Sequence, residues 1–192
     1  MGTQEVNTNK MTRYQSLAIY GIIIVLTGII ISSLAYNPSR IIQYVVAAGL
    51  FLSAIFAFIT SYKSKRLIVP LKYHAFQGFG LLAYALTVII YANTLERFLN
   101  ATTCFLLIFG ITEIVGALQL LMLGLKINLQ LIVFRIIIGF LTAFGAVLIL
   151  TTNYINSNNA LLGSGIAFIF GGIGFIVFSN LIRKIEQQAE PS

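Results

Sequence analysis

Residues 17–62 have the sequence LAIYGIIIVLTGIIISSLAYNPSRIIQYVVAAGLFLSAIFAFITSY. Two apolar runs of about 19 residues, 17–35 and 41–59, flank a short polar corner at 36–40. At about 1.5 Å of rise per residue, each run matches the ~30 Å hydrocarbon core of a bilayer. The stretch therefore predicts a helical hairpin that crosses a membrane and returns.

The composition of the whole chain agrees with a membrane location. Of its 192 residues, 58% are hydrophobic and only 9% are charged, whereas a soluble domain carries about 25% charged residues. We therefore expect an all-α polytopic membrane protein whose main partner is the lipid bilayer. The single cysteine, Cys104, cannot form an internal disulfide.

Four further apolar runs bring the predicted number of transmembrane helices to six. The predicted spans are 17–35, 41–59, 75–91, 98–118, 135–150 and 160–179. We expect cytoplasmic tails at 1–16 and 183–192 and a membrane domain at 17–182. Within this domain, the fourth helix is expected to continue into an interfacial stretch at 119–134 before the fifth begins near Arg135. A cleaved signal peptide is the alternative for the first span, because Ser33-Leu34-Ala35 resembles a cleavage site. The span exceeds the usual h-region of about 7–15 residues, however, which favours a helix.

Lys and Arg residues predict the orientation. With a cytoplasmic N-terminus, the outer corners hold only Arg40 and Arg97. The other ten cations face the cytoplasm: Lys10, Arg13, Lys63, Lys65, Arg66, Lys72, Lys126, Arg135, Arg183 and Lys184. This bias predicts that both termini are cytoplasmic. Because the cations are scattered along membrane edges, the net charge of +7 does not predict a nucleic-acid partner.

Small residues recur at the same offsets in three places. From each of three glycines, a small residue follows seven and 32 positions later, giving the sets Gly21, Gly28, Ser53; Gly78, Ala85, Gly110; and Gly139, Ala146, Gly171. This pattern predicts three parallel hairpin repeats at 17–62, 74–118 and 135–180. The alternative is convergence, since lipid-embedded helix contacts favour small residues everywhere. In either case we expect helix-packing roles for Gly21, Gly28, Gly49, Ser53, Gly78, Gly110, Gly139 and Gly171.

Glu113 is the one acid well inside a predicted span. An ionised carboxylate in hydrocarbon costs at least ~2.5 kcal/mol, so it must be protonated, paired or beside water. Depth can be counted in residues from the turn near Lys126. By this count, Glu113 and Arg135 lie on neighbouring helices at depths that differ by about 6 Å, which a long arginine side chain can span. Arg135 is therefore a candidate partner. The pair is either a proton- or ion-linked site or an internal strut. A third alternative is that helix 4 is shifted along its axis, so that the Glu113 carboxyl group lies near the inner interface.

His74 is a second candidate, because it occupies in repeat two the position that Arg135 occupies in repeat three. It is either a membrane-interface residue or a pH-sensitive group. No neighbouring His, Cys or carboxylate completes a metal site, and no catalytic motif is present in the sequence. We therefore expect no cofactor and no enzyme activity.

The order Gly21, Gly28, Asn37-Pro38 and Gly49, in a six-span chain of 192 residues, resembles the HdeD family of acid-resistance membrane proteins. The resemblance implies a bacterial inner-membrane protein linked to acid stress, and it supplies no catalytic residues. Two functions are therefore expected. One is a stress-related membrane protein that acts by helix packing or as an assembly partner, including a homo-oligomer. The other is a small proton- or ion-linked transporter or channel using Glu113 and Arg135.

Overall fold

A computed structural model describes residues 12–64, 73–122, 129–153 and 156–189. These residues form six α-helices and no strand: α1 Arg13–Ser33, α2 Arg40–Ser64, α3 Tyr73–Ile90, α4 Leu95–Met122, α5 Leu129–Asn153 and α6 Ser157–Ala189. All six are long and apolar enough to cross a membrane. The predicted six-span helical fold is thus confirmed, and the chain is a multi-pass membrane protein.

Polar residues at the corners begin the helices. Thr12 and Gln15 form a capping box before α1, with the Thr12 backbone N–H donating to Gln15 Oε1 at 2.7 Å. At the start of α4, Thr94 Oγ1 accepts from the Arg97 N–H at 3.3 Å, and Asn156 Oδ1 accepts from the Asn158 N–H at 3.0 Å at the start of α6. Each side chain satisfies a backbone donor that the first helical turn leaves free.

The helices follow one another around a bundle that α1 and α6 close. The α1–α6 contact is the most extensive, followed by α4–α5, α2–α3 and α1–α2. Of the helices that are consecutive in the chain, α3 and α4 contact each other least. The outer surface carries large exposed apolar side chains such as Ile29, Phe140 and Phe170, as expected for a surface that faces lipid.

Glycines allow two helix pairs to approach at backbone distance. A Cβ placed on Gly21 would lie 2.7 Å from the Gly172 carbonyl oxygen, and one on Gly28 would lie 2.7 Å from the Gly165 oxygen. These contacts join α1 to α6. Between α4 and α5, a Cβ on Gly139 would lie 2.7 Å from the Gly110 oxygen. Any side chain at these positions would push the backbones apart.

The other predicted packing residues lie in different surroundings. Gly49 faces Thr27 of α1, and Gly78 lies against the Phe58 ring of α2. Ser53 is buried and donates to the Gly49 carbonyl of its own helix at 2.9 Å. Gly171 differs from the prediction, because a Cβ there would meet no atom within 4 Å. Its neighbour Gly172 makes the close contact instead.

Several helices are longer than the hydrophobic runs suggested. α1 begins at Arg13, before residue 17, and α6 continues to Ala189, past the predicted boundary at 182. As predicted, α4 continues into the stretch at 119–134 and reaches Met122, but α5 begins at Leu129 and not near Arg135. Residues 123–128 lie outside the described residues. Helical hydrogen bonding does not stop where hydrophobicity stops, so run length underestimates helix length. The triple repeat stays a prediction.

Candidate functional site: a buried polar cluster

Glu113 of α4 and Arg135 of α5 are brought together inside the bundle. The distance from Arg135 Nε to Glu113 Oε2 is 3.6 Å, and the side chains are 5% and 4% exposed, respectively. Close α4–α5 packing positions them, because a Cβ on Gly139 would lie 2.9 Å from the Cβ of Glu113. The small residue on α5 thus lets the carboxylate approach the arginine one turn away.

Gln77 of α3 partners the second carboxylate oxygen. Its Nε2 donates to Glu113 Oε1 at 2.6 Å and to the Tyr73 hydroxyl at 2.6 Å. Both oxygens of Glu113 therefore have a partner. A buried carboxylate with two such partners is stabilised where an unpaired one would not be.

His74 completes the α3 side of the site. It lies in the first turn of α3 and is fully buried, rather than exposed at a membrane interface. Its Nδ1 contacts Gln77 Oε1 at 3.0 Å, and since an amide oxygen only accepts, Nδ1 carries the proton in this contact. His74 therefore orients Gln77, and Gln77 holds Glu113.

Two aromatic rings enclose the Arg135 guanidinium. Its Cζ lies 4.2 Å from the centroid of the Tyr73 ring and 4.7 Å from that of Phe178 of α6. Gly116 of α4 gives room for the Tyr73 ring, which lies 3.0 Å from where a Cβ of residue 116 would stand. Cation–π contacts are strongest when desolvated, as they are here.

We call this set the polar cluster: Tyr73, His74, Gln77, Glu113, Arg135 and Phe178. It links α3, α4, α5 and α6. Within the described residues, Arg135 Nη2 and His74 Nε2 are buried without a hydrogen-bond partner. A cavity of about 10 Å³ adjoins Glu113, Arg135 and Phe178, which is close to the smallest space that holds one water molecule.

Several other intramembrane polar residues bond within their own helices and not to the polar cluster. The hydroxyls of five of them donate to a carbonyl three or four residues earlier in their own helix: Thr27, Ser53, Thr87, Thr112 and Thr142. Such bonds satisfy the hydroxyl donor within its own helix. Among the residues that the structure describes, no group of three His, Cys, Asp or Glu side chains could hold a metal ion.

Sequence reasoning placed Glu113 beside Arg135 but missed the roles of three other members of the polar cluster. The sequence patterns assign no role to Tyr73, Gln77 or Phe178. The spacing of His74 and Gln77, three residues apart on one helix face, was a signal that the two act together.

Comparison of the chain with protein-family models, curated proteins and solved structures finds no match.

Proposed function

We propose that the chain is a bacterial inner-membrane protein of the stress- and acid-resistance type, related to the HdeD family. It acts by helix packing or as an assembly partner, and it catalyses no reaction. The six membrane-crossing helices support the membrane location. The glycine and Asn-Pro pattern of the first hairpin supports the family proposal.

One observation carries the choice of packing over transport: both oxygens of Glu113 are occupied, by Gln77 and by Arg135. An ion path needs a carboxylate that exchanges its partners with water or substrate. Here the carboxylate fastens α3 and α5 to α4, and the neighbouring threonines bond to their own backbones. This arrangement is that of an internal strut.

Two further features of the proposal concern architecture. We infer three parallel hairpin repeats with both termini in the cytoplasm. In support, Gly21 and Gly139 occupy the same position in repeats one and three, and each meets a glycine carbonyl on the second helix of another repeat. Gly78, the equivalent in repeat two, meets the Phe58 side chain instead.

A proton- or ion-linked transporter is the second candidate. The observation in its favour is that Gln77, which binds Glu113, also lines a lateral opening between α3 and α4. Only Gln77 would separate a molecule bound in that opening from the buried carboxylate of Glu113. A transporter would require the charged groups of Glu113 and Arg135. A packing protein requires only that side chains of similar volume occupy their place.

The double variant Glu113→Met with Arg135→Met separates the two candidates. Survival of cells at low pH is measured with the wild type, the double variant and a gene deletion, at matched amounts of protein in the membrane. The control is Glu96→Gln, since Glu96 is an exposed acid on the same helix. The packing proposal expects the double variant to survive like the wild type and the deletion to survive poorly. Loss of survival in the double variant supports transport, and an unaffected deletion strain contradicts the stress role.

A further inference from the structure

The sparse contact between α3 and α4 leaves a lateral groove in the bundle wall, which we call the α3–α4 groove. Its volume is about 440 Å³, within the ~300–1,000 Å³ range of sites for small organic ligands. Aromatic and aliphatic side chains dominate its lining, among them Phe76, Tyr84, Tyr91, Phe105 and Ile108. The groove is therefore suited to a hydrocarbon chain.

The groove is long and ends beside two arginines. On the α3 side it extends from Phe76 to Tyr91, which corresponds to about 22 Å of helix rise and exceeds half of the ~30 Å hydrocarbon core. At the Tyr91 end, the Arg97 guanidinium carbon lies 5.2 Å from the Tyr91 ring centroid. Arg97 Nη1 also donates to Asn93 Oδ1 at 2.9 Å.

Arg40 of α2 meets the same corner. Its Nη2 donates to the Asn93 carbonyl oxygen at 3.3 Å, so two guanidinium groups converge on one residue at the end of the groove. Both side chains are exposed. Among the residues that the structure describes, neither Arg40 nor Arg97 forms an ion pair with a carboxylate, although Glu96 is the immediate neighbour of Arg97.

We propose that the α3–α4 groove binds an anionic phospholipid, with the phosphate on Arg40 and Arg97 and one acyl chain along the groove. Guanidinium groups present paired N–H donors that match phosphate oxygens. Asn100 lines the groove one turn after Arg97, which places an amide below the phosphate, at the level of the polar part of the lipid. The two arginines at one end therefore select a negatively charged headgroup, and the long apolar lining selects an acyl chain.

A second groove shows what sets the first apart. The opening between α5 and α6 is larger, at about 590 Å³. Neither groove has a Lys or Arg in its described lining, so the difference lies at the corners. Arg40 and Arg97 lie at the Tyr91 end of the α3–α4 groove, whereas residues 151–159, at the Thr152 and Asn159 end of the α5–α6 groove, contain no Lys or Arg. At that corner, the α5–α6 groove offers apolar surface without a cation to bind phosphate. Selectivity for an anionic headgroup is therefore expected at the α3–α4 groove and not at the α5–α6 groove.

A second copy of the chain fits the α3–α4 groove less well than a lipid does. A two-fold symmetric contact places the same patch of both copies face to face. Arg40 and Arg97 of each copy would then meet their counterparts, and four like charges would have to approach. An anionic lipid removes that repulsion instead of creating it.

The test is native mass spectrometry of the full chain in detergent, with phosphatidylglycerol and phosphatidylcholine of identical acyl chains. We expect preferential binding of phosphatidylglycerol, weakened about 30-fold in Arg40→Gln with Arg97→Gln, since each cation contributes about 1 kcal/mol of attraction to anionic lipid. Gly80→Leu should also block binding, because its Cβ would stand at an ordinary 3.9 Å from Phe105 and its side chain would fill the groove.

Gly145→Leu is the matched control. Gly145 lines the α5–α6 groove, and a Cβ there would meet no atom within 4 Å, so this variant should bind phosphatidylglycerol like the wild type. Cys104, the single cysteine of the chain, lines the α3–α4 groove. Phosphatidylglycerol should therefore slow its alkylation in the wild type, and not in Gly80→Leu. Equal binding of both lipids, equal loss in Gly145→Leu, or a bound second copy in place of lipid would overturn the proposal.

Discussion

Replacing Glu113 by Gln tests whether the polar cluster stabilises the bundle. The substitution keeps the shape of the side chain and an oxygen that accepts from Gln77 Nε2. The charge is lost, and the oxygen that faces Arg135 becomes an NH2 group that cannot accept a hydrogen bond. Arg135, 5% exposed, would then keep its charge with no anionic partner in the polar cluster. Removing one member of a buried ion pair costs ~3–5 kcal/mol, and we expect Glu113→Gln to lower the free energy of unfolding by about that amount.

The double variant Glu113→Met with Arg135→Met separates the loss of the pair from the loss of one charge. It removes both charges and fills the space with apolar side chains, while Gln77 Nε2 retains the Tyr73 hydroxyl as an acceptor. Replacing a whole buried pair by apolar residues is often neutral or stabilising by ~1–4 kcal/mol. We therefore expect the double variant to be at least as stable as the wild type.

Both free energies can be measured by reversible unfolding in mixed detergent micelles, followed by far-ultraviolet circular dichroism. Glu96→Gln serves as the control, because this exposed acid lies on the same helix and its loss should change stability by no more than ~0.5 kcal/mol. Two results would refute the reasoning: Glu113→Gln as stable as the control, or a double variant as unstable as Glu113→Gln.

Two further predictions use the same unfolding measurement. Gly172→Ala should lower the free energy of unfolding by ~1–3 kcal/mol, because it forces α1 and α6 apart. Its Cβ would stand 2.6 Å from the Gly21 carbonyl oxygen. At the neighbouring position, Gly171→Ala should leave the free energy of unfolding unchanged or raise it by up to ~1 kcal/mol through helix propensity, because its Cβ would meet no atom within 4 Å. Equal losses of stability at both positions would contradict the packing described here. Tyr73→Phe removes the hydroxyl that accepts from Gln77 and should lower the free energy of unfolding by ~0.5–1.5 kcal/mol. Tyr73→Leu should lower it further, because this variant also removes the aromatic ring beside Arg135. A Phe variant as unstable as the Leu variant would refute the ring contact.

Depth in the membrane could be predicted from the sequence, because it depends only on counting residues along a helix. Rise per residue is nearly constant, so the count from Lys126 placed Glu113 and Arg135 at similar depths, and the structure has their side chains 3.6 Å apart. The same constancy explains why six apolar runs sufficed to predict six spans.

The face of the helix on which a residue lies could not be predicted with the same accuracy. Successive residues are about 100° apart around a helix, so an error of one position moves a residue to another face. The offset of 32 from Gly139 therefore selected Gly171, whereas Gly172 makes the contact with α1. The α3–α4 groove was equally beyond reach, because it depends on how closely two helices pack and not on the pattern of either one.

If all six helices cross the membrane, the three short corners lie on one side of it. In a Cys104→Ser background, single cysteines replace Asn37, Asn93 or Asn156, and a fourth variant carries Thr12→Cys before α1. A membrane-impermeant maleimide is added to right-side-out membrane vesicles. We expect all three corner cysteines to react at once and the residue 12 cysteine to react only after the vesicles are opened. Corner cysteines that differ from one another in reactivity, or a residue 12 cysteine that reacts together with the corners, would contradict the six-span arrangement. Labelling of residue 12 alone in closed vesicles would contradict the cytoplasmic position of the termini.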